Sequence, residues 1–318
     1  MYRQWSTGLW PRRPRTLPDM GPALAVDIGG TKLAAGLVTA TGALTRRAQA
    51  PTPSSVDADG LFSALTAVID QVRTGDEVVC GVGAGGPMAP GGDEVSPLNI
   101  PAWRGFPLRR RLGEATGLPT FVDNDAKALA LGEGWVGEAA GTTHFIAMVV
   151  STGVGGGIVL DGRLLDGAAG NAGHIGHVVV RPDGNHCGCG AQGCLEAEAS
   201  GTGIRRATGR PAEEAPAEVV EHVGTMVGRA VASVANLLDL RLAVVAGSVA
   251  LGYGAPFFAA AQAELDRRAR LEFSAGARIV PAGGGAAAPL VGAAAVGWRG
   301  LGHDVLGGGA GGGRGVPG

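Results

Sequence analysis

The most specific chemical pattern in the sequence is a cluster of cysteines. Three of the chain's four cysteines fall within eight residues, and a histidine precedes them: His177, Cys187, Cys189 and Cys194. Three thiolates and one imidazole form the closed tetrahedral ligand set of a structural zinc site. The pattern therefore predicts one structural Zn²⁺ bound by these four side chains. Spacing alone leaves His174 and His186 as rival fourth ligands, and buried free thiols are the alternative to a metal site.

A second pattern is the glycine-containing turn that follows the first strongly apolar segment. Its polar and glycine positions are Asp27, Gly29, Gly30, Thr31 and Lys32. Glycines let backbone N–H groups approach phosphate oxygens closely, while Thr and Lys add a donor and a positive charge. The aspartate is expected to hold Mg²⁺ through water, because this ion releases its waters reluctantly. A plain hairpin turn is the alternative interpretation.

Residues 151–157, STGVGGG, form a second glycine-rich turn with the same chemical capacity. Its candidate phosphate ligands are Thr152, Gly153, Gly155 and Gly156. Taken alone, this segment is again explained by a hairpin turn. Paired with the first turn, it predicts a two-sided clamp for the phosphates of a nucleotide, because both turns offer backbone N–H groups.

The dipeptide Asn124-Asp125 lies between a short apolar strand and an Ala/Leu-rich helix. Asp is a favoured N-cap residue, so a capping role is the simpler interpretation. The functional interpretation makes Asp125 a general base that accepts the proton of a sugar hydroxyl as its oxygen attacks the γ-phosphate. Asn124 would then orient the sugar through its amide.

Two further polar residues, His174 and Glu196, flank the predicted zinc ligands. A zinc ion that makes this segment rigid also holds both side chains near one point, as a sugar-binding carboxylate requires. Solvated loop side chains are the alternative interpretation.

The elements around these residues indicate how they are positioned. The succession of strand, glycine turn, strand and turn occurs at residues 24–42 and again at residues 146–162. Such internal repetition predicts a duplicated α/β domain with a cleft between the two halves. Because a strand rather than a helix follows each turn, neither turn is a dinucleotide-binding or P-loop motif.

Hydrophobic spacing predicts the remaining elements and the domain limits. Helices are expected at residues 61–72, 126–135, 218–239 and 255–270, and buried strands at residues 78–82, 121–122 and 242–246. The domain prediction is a disordered tail at 1–21, an N-terminal α/β lobe at 22–126, a C-terminal α/β lobe with the zinc loop at 127–303, and a flexible Gly-rich tail at 304–318.

The composition argues against several classes of partner. Hydrophobic residues make up 45% of the 318 residues, which allows a large core. A formal net charge of −2 provides no basic field for nucleic acid. No apolar run is long enough for a membrane span, and the first twenty residues lack the apolar region of a secretory signal. A disulfide between Cys187 and Cys189 would be strained, so we expect a reducing, cytoplasmic environment.

Together these motifs resemble the ROK family (repressor, open reading frame, kinase) over about residues 22–300. The motifs are DIGGTK at 27–32, SPLNIPAW at 96–103, VDNDAKALALGE at 122–133, STGVGGG at 151–157, AGHIGH at 172–177 and CGCGAQGCLEA at 187–197. The resemblance implies an actin-like, ribonuclease-H-like fold with ATP and a sugar in the interdomain cleft. It also implies a homodimer.

The resemblance further implies roles for individual residues. In the family both glycine turns bind ATP phosphates, and Gly247 falls where the family contacts the nucleoside. Asp125 corresponds to the catalytic base, and His177 to the zinc ligand that accompanies the three cysteines. The implied sugar contacts are Asn99, Asn124, Asp125, His174, His177 and Glu196.

Two positions depart from the pattern common in the family's glucokinases. His174 replaces a sugar-binding glutamate, and Lys127 stands where an asparagine is frequent, which we interpret as a solvated helix face. The AGHIGH form is similar to bacterial N-acetylmannosamine kinases, which implies ATP-dependent phosphorylation of the C6 hydroxyl of N-acetylmannosamine. A glucokinase is the alternative, and a non-catalytic sugar-binding regulator is a weaker one. The roughly 22 residues before Ala23 leave no room for the helix-turn-helix domain of the family's repressors.

Overall fold

The first of two sheets lies in the N-terminal half of the chain. The computed structural model describes Leu17 and residues 21–307, so most of the terminal segments expected to be disordered lies outside the described residues. The strands are β1 (Ala23–Ile28), β2 (Lys32–Val38), β3 (Leu44–Pro51), β4 (Val79–Ala84) and β5 (Thr120–Asn124). Their order is β3-β2-β1-β4-β5, and β1 pairs antiparallel with β2 and parallel with β4.

The second sheet repeats this arrangement. Its strands are β6 (Phe145–Val150), β7 (Val154–Leu160), β8 (Arg163–Leu164), β9 (Leu242–Ala246) and β10 (Arg278–Pro281). Their order is β8-β7-β6-β9-β10, with β6 antiparallel to β7 and parallel to β9. The equivalent order and direction of the strands confirm the duplicated α/β architecture that the two glycine turns predict.

Nine α-helices connect the strands within the described residues. They are α1 (Ala58–Asp70), α2 (Leu108–Thr116), α3 (Asp125–Trp135), α4 (Leu195–Ala199), α5 (Gly201–Thr208), α6 (Ala217–Leu238), α7 (Ser248–Tyr253), α8 (Ala255–Arg268) and α9 (Ala288–Gly300). The four predicted helices correspond to α1, α3, α6 and α8. The sequence analysis does not predict helix α9, because this helix is buried on nearly all sides and therefore lacks a polar face. No helix in the described part of the chain is long and apolar enough to cross a membrane.

Helices α3 and α9 fill the space between the two sheets. One buried cluster combines both helices with residues of both sheets, including Ala25 of β1 and Ala147 of β6. The opposite faces of the sheets pack against α1 and α2 on one side and against α6 and α8 on the other. Small residues make the central layer possible, because a Cβ at Gly81 of β4 would lie 2.0 Å from the Ala293 carbonyl oxygen of α9.

The second glycine turn is shorter than the sequence analysis predicts. Strand β7 begins at Val154, whereas the sequence places the strand from residue 158, so the turn comprises only residues 151–153. The later glycines allow close packing inside the strand. A Cβ at Gly157 would lie 2.7 Å from the Ala130 Cβ and 2.9 Å from the Ala126 carbonyl oxygen, both in α3. Helix α3 therefore lies close against β7.

Candidate active site

The first glycine turn joins β1 to β2 and packs against the segment that contains Asn99. The Gly29 N–H donates to the Lys32 carbonyl at 2.9 Å, and the Thr52 hydroxyl donates to the Gly29 carbonyl at 2.7 Å. A Cβ at Gly30 would lie 2.7 Å from the Asn99 Cβ, so glycine lets the two segments approach. A predicted sugar contact is thus brought next to a predicted phosphate turn.

The second turn joins β6 to β7 and is held by two neighbouring segments. The Gly201 N–H donates to the Ser151 carbonyl at 2.7 Å. Thr202 donates its N–H and its hydroxyl to the Thr152 carbonyl at 3.2 and 2.9 Å. The Ser151 and Ser248 hydroxyl oxygens lie 2.9 Å apart. Thr152 itself is exposed at the tip of the turn, as is Thr31 at the tip of the first.

Three further predicted nucleotide contacts lie near this turn in different settings. Gly247 has a φ of +103°, and a Cβ there would lie 2.3 Å from the Val150 carbonyl oxygen at the end of β6. Gly155 and Gly156 lie within β7, and a Cβ at Gly156 would lie 3.2 Å from the Gly173 carbonyl oxygen. Gly247 is therefore beside the turn, while the role of the two strand glycines as phosphate ligands stays a prediction.

Asp27 and Asp125 lie on either side of Gly83 in β4. A Cβ at Gly83 would lie 3.8 Å from the Asp125 Cα and 4.0 Å from an Asp27 carboxylate oxygen, so glycine leaves room for both. Burial, followed by the negative charge of Asp125, raises the pKa of Asp27 from 3.8 to about 6, and the charge of Lys32 opposes this shift. Desolvation by the surrounding protein also raises the pKa of Asp125, although its side chain remains exposed to solvent. The two carboxylates form an acidic centre between β1 and the start of α3.

Helix α3 begins at Asp125 because Asn124 caps it. The Asn124 Oδ1 accepts a hydrogen bond from the Ala126 N–H at 3.0 Å, so the capping role belongs to Asn124. Asp125 Oδ1 accepts from the same N–H at 2.8 Å. The residue is nevertheless exposed to solvent, so a substrate can reach the carboxylate.

A short 3₁₀ turn brings the two predicted sugar-binding histidines to the same region. His174 precedes the turn Ile175–His177, and the rings of His174 and His177 lie 6.1 Å apart at 28°. The charge of His174 lowers the pKa of Asp125 and so opposes the effect of desolvation. His174 therefore lies within electrostatic range of Asp125, while the ring of His177 lies among the cysteines.

Glu196 links the cysteine segment to the second glycine turn. Its Oε2 accepts a hydrogen bond from the Val154 N–H at 3.1 Å, and a Cβ at Gly153 would lie 3.0 Å from the same oxygen. The sequence analysis places Glu196 near a rigid point but contains no sign of this contact. One carboxylate oxygen is engaged by the turn, which leaves the other for a ligand.

The four predicted zinc ligands converge. The ligand atoms of His177, Cys187, Cys189 and Cys194 all lie within 4.8 Å of one another. The Sγ atoms of Cys189 and Cys194 are 3.8 Å apart. Tetrahedral Zn²⁺ with Zn–S bonds of about 2.3 Å requires a sulfur–sulfur distance of about 3.8 Å, whereas a disulfide requires about 2.0 Å. The donor set therefore fits a closed zinc site, and the rival ligands His174 and His186 are not among the four that converge.

A cavity of about 370 Å³ connects several of these residues. Asn99 contributes from the first half of the molecule, and Thr152, Gly153 and Glu196 contribute from the second. The zinc loop and α5 complete its wall, and Arg206 of α5 was not anticipated from the sequence. Predicted sugar and phosphate contacts thus share one cleft.

The interpretation of Lys127 as part of a solvated helix face is wrong. The residue is 3% exposed, and its ammonium forms ion pairs with Asp123 and Asp166. Asp123 lies four residues before Lys127, so the sequence could have indicated this one of the two ion pairs. Asp166 lies 39 positions from Lys127, and no local pattern indicates the pairing.

Comparison with known proteins identifies relatives over most of the chain. The sequence profile of the ROK family matches residues 23–298. The N-acetylmannosamine kinase of Citrobacter koseri is 38% identical over 247 residues, which are 73% of this chain and 84% of that protein.

Two solved structures share the fold at appreciable sequence identity. The ROK hexokinase of Thermus thermophilus is 34% identical with a TM-score of 0.73, and the similarity covers 88% of this chain and 99% of that one. A ROK family glucokinase from Streptomyces griseus, in complex with glucose and AMPPNP, is 30% identical with a TM-score of 0.75, and the similarity covers 88% of this chain and 100% of that one.

Proposed function

The chain belongs to the ROK family, with its actin-like fold, and we propose that it transfers the γ-phosphoryl group of ATP to the C6 hydroxyl of a hexose, preferentially N-acetylmannosamine. The observation on which this rests is the position of Asp125. This carboxylate is exposed to solvent at the start of α3, lies across Gly83 from Asp27, and is close enough to His174 for their charges to interact. A base, a nucleotide-binding turn and an acceptor-binding side chain are the parts that phosphoryl transfer requires.

The two glycine turns bind the ATP phosphates in this proposal. Backbone N–H groups of residues 30–31 and 152–153 approach the phosphate oxygens from the two halves, and Lys32 adds positive charge. The N–H groups of Gly29 and Ser151 instead close the two turns. Gly247, which packs against the Val150 backbone beside the second turn, is assigned to the nucleoside contact. Asp27 would hold Mg²⁺ through water, which fits the preference of this ion for carboxylate oxygens. When bound, Mg²⁺ neutralises negative charge that develops on the phosphates.

Asp125 acts as the general base. As the sugar O6 attacks the γ-phosphorus, Asp125 accepts the hydroxyl proton, the new O–P bond forms, and the bond to the ADP oxygen breaks. The raised pKa of Asp125 makes it a better proton acceptor than a carboxylate with the ordinary pKa. Asn124 and Asn99 orient the sugar through their amides.

The zinc site serves a structural role in the proposal. His177, Cys187, Cys189 and Cys194 would hold Zn²⁺ with no open position, so the ion stabilises the loop without entering the reaction. Glu196 follows the last ligand by two residues and is oriented by the Val154 N–H. The loop thereby presents Glu196 and His177 to the sugar.

The preference for N-acetylmannosamine is supported by His174 and by the kinase of Citrobacter koseri. A histidine offers a ring N–H donor that suits an acetamido carbonyl, whereas a glutamate offers only acceptors for hydroxyls. Glucose is the alternative acceptor, supported by the 30% identical Streptomyces griseus glucokinase. A coupled assay of kcat/KM for N-acetylmannosamine, N-acetylglucosamine, mannose and glucose decides between them. A higher value for glucose than for N-acetylmannosamine would reverse the choice of acceptor, and no activity with any hexose would refute a sugar kinase.

Other properties of the enzyme follow from the same proposal. We infer that the cleft separates lobes at residues 22–126 and 127–303, and that the protein is a homodimer that binds neither nucleic acid nor membrane. Use of ATP and the need to keep zinc-binding thiols reduced support a cytoplasmic location. Size-exclusion chromatography with light scattering tests the dimer.

A further inference from the structure

Lys127 has surroundings that the proposed reaction does not explain. It lies in the first turn of α3, two residues after Asp125, and is almost fully buried. Its ammonium lies 2.9 Å from Asp123 Oδ1, 2.8 Å from Asp166 Oδ1 and 3.1 Å from the Gly170 carbonyl oxygen. These three acceptors satisfy all three N–H donors of the lysine.

Arg299 of α9 completes a cluster of four charges. Its Nη2 lies 2.7 Å from Asp166 Oδ2, and its Nη1 lies 3.6 Å from Asp123 Oδ2. Each carboxylate therefore faces both cations, and the total charge is balanced. We call Asp123, Lys127, Asp166 and Arg299 the ionic cluster. A buried charge such as that of Lys127 is maintained only when it is paired.

The ionic cluster joins the two segments that present opposite sides of the candidate active site. The Asp123 carboxylate also accepts the Asn124 N–H at 2.8 Å, so it is continuous with the start of α3. Asp166 begins the loop of residues 166–172, which is closed by the Ala172 N–H donating to the Asp166 carbonyl at 2.9 Å. His174 follows this loop by two residues. The contacts that hold the 166–172 loop against α3 therefore also fix the position of His174 relative to Asp125.

We propose that Lys127 is a positioning residue that sets the separation of His174 from Asp125 by fastening the 166–172 loop to the first turn of α3. This inference rests on the proposed function, which assigns Asp125 as base and His174 as an acceptor contact. Lys127 acts through Asp166 and Gly170. The ionic cluster forms no hydrogen bond or ion pair with either glycine turn in the described part of the chain, so acceptor binding depends on it and ATP binding does not.

The test compares Lys127→Met with the wild-type full chain. The substitution removes the ammonium and retains most of the side-chain length, and both carboxylates still face Arg299. We expect the KM for the acceptor sugar to rise about 10- to 100-fold, the scale of a small displacement in an active site, while the KM for ATP stays within about twofold. Amide hydrogen exchange of residues 166–172 should become faster without sugar present. Lys127→Arg should restore most of the sugar KM.

Arg73→Met is the matched control. Arg73 Nε pairs with the buried Glu77 at 3.4 Å just beyond the end of α1, so this variant also removes a cation from a buried carboxylate, but outside the cleft. It should leave both KM values and the exchange of residues 166–172 unchanged. Equal increases of both KM values in the two variants would mean that only general stability had changed and would overturn the inference.

Unchanged sugar KM and unchanged loop exchange in folded Lys127→Met would also overturn it. If this variant fails to fold, Asp166→Asn replaces it, because Asp166 is 46% exposed and the Lys127–Asp123 pair remains. The same selective rise in sugar KM is expected there, and a normal KM refutes the inference. A wild-type protein inactive on every hexose would instead refute the proposed function, while hydrogen exchange would still test whether Lys127 fastens the loop.

Discussion

Replacing Asp125 with asparagine should lower the rate of catalysis and raise the stability of the fold. Asparagine keeps the shape of the side chain, and Asn124 still caps α3, so the fold is expected to persist. The amide cannot accept the proton of the sugar hydroxyl. We therefore expect kcat to fall by about 10²–10⁴, the range typical of general acid–base catalysis.

The same substitution should stabilise the folded protein at neutral pH. Asp27, whose pKa is raised from 3.8 to about 6, holds its proton more tightly in the folded state than in the unfolded chain. The free energy of unfolding therefore falls as pH rises from about 4 to about 6, by at most about 3 kcal/mol, and the loss persists at higher pH. The charge of Asp125 is the second cause of that shift, after burial. Its removal, reduced by solvent screening because Asp125 is exposed and by the favourable effect of an acid at a helix N-terminus, should give at most about 1 kcal/mol, or at most roughly 2–4 °C in Tm.

Two measurements test this reasoning. Steady-state kinetics at saturating sugar and ATP give kcat, and differential scanning calorimetry at pH 4 and pH 7.5 gives Tm. The gain in Tm should be present at pH 7.5 and smaller at pH 4, where Asp27 is largely protonated. Asp57→Asn is the control, because Asp57 also starts a helix, accepts the Gly60 N–H at 2.8 Å, and lies outside the cleft.

A kcat within about tenfold of wild type in folded Asp125→Asn would refute the role of Asp125 as base. A Tm below that of wild type at pH 7.5 would refute the account of Asp27 and Asp125 as charges that repel each other. The change in kcat and the change in Tm are independent. The first therefore tests Asp125 as the base, and the second tests the repulsion between Asp27 and Asp125.

Three further substitutions test the zinc site, the acceptor preference and the first turn. Elemental analysis should find about one zinc per chain. Cys189→Ser should lose zinc and sugar affinity together, because the zinc loop orients Glu196. Full activity in zinc-free protein would contradict this prediction. His174→Glu should shift kcat/KM toward unmodified hexoses by about 1–3 kcal/mol, the scale of one hydrogen bond to a charged group. An unchanged ratio of kcat/KM between glucose and N-acetylmannosamine would mean that His174 does not select the acceptor. Gly30→Ala should raise the KM for sugar and ATP about tenfold, because the new Cβ would meet Asn99 at 2.7 Å; normal kinetics would show that the turn and the Asn99 segment yield easily.

The sequence by itself determined the features that depend on local spacing. A strand, a glycine turn and a returning strand are encoded within about twenty residues, which is why both hairpins and their repetition were predicted. The cysteine spacing likewise indicated a metal site, because three of its ligands lie within eight residues. Periodic apolar positions identified α1, α3, α6 and α8, but α9 escaped because burial on all sides removes the polar face that marks a helix.

Only the tertiary structure decided which distant residues meet. Of three histidines with suitable spacing, the fold brings His177 to the cysteines and leaves His174 within electrostatic range of Asp125. Asp166 pairs with residues 39 and 133 positions away, and Glu196 accepts a hydrogen bond from a strand 42 positions earlier. Such contacts depend on how α3 and α9 pack between the sheets. A buried lysine and a solvated one look the same in a sequence, because the acceptors that make burial favourable are supplied by other segments of the chain.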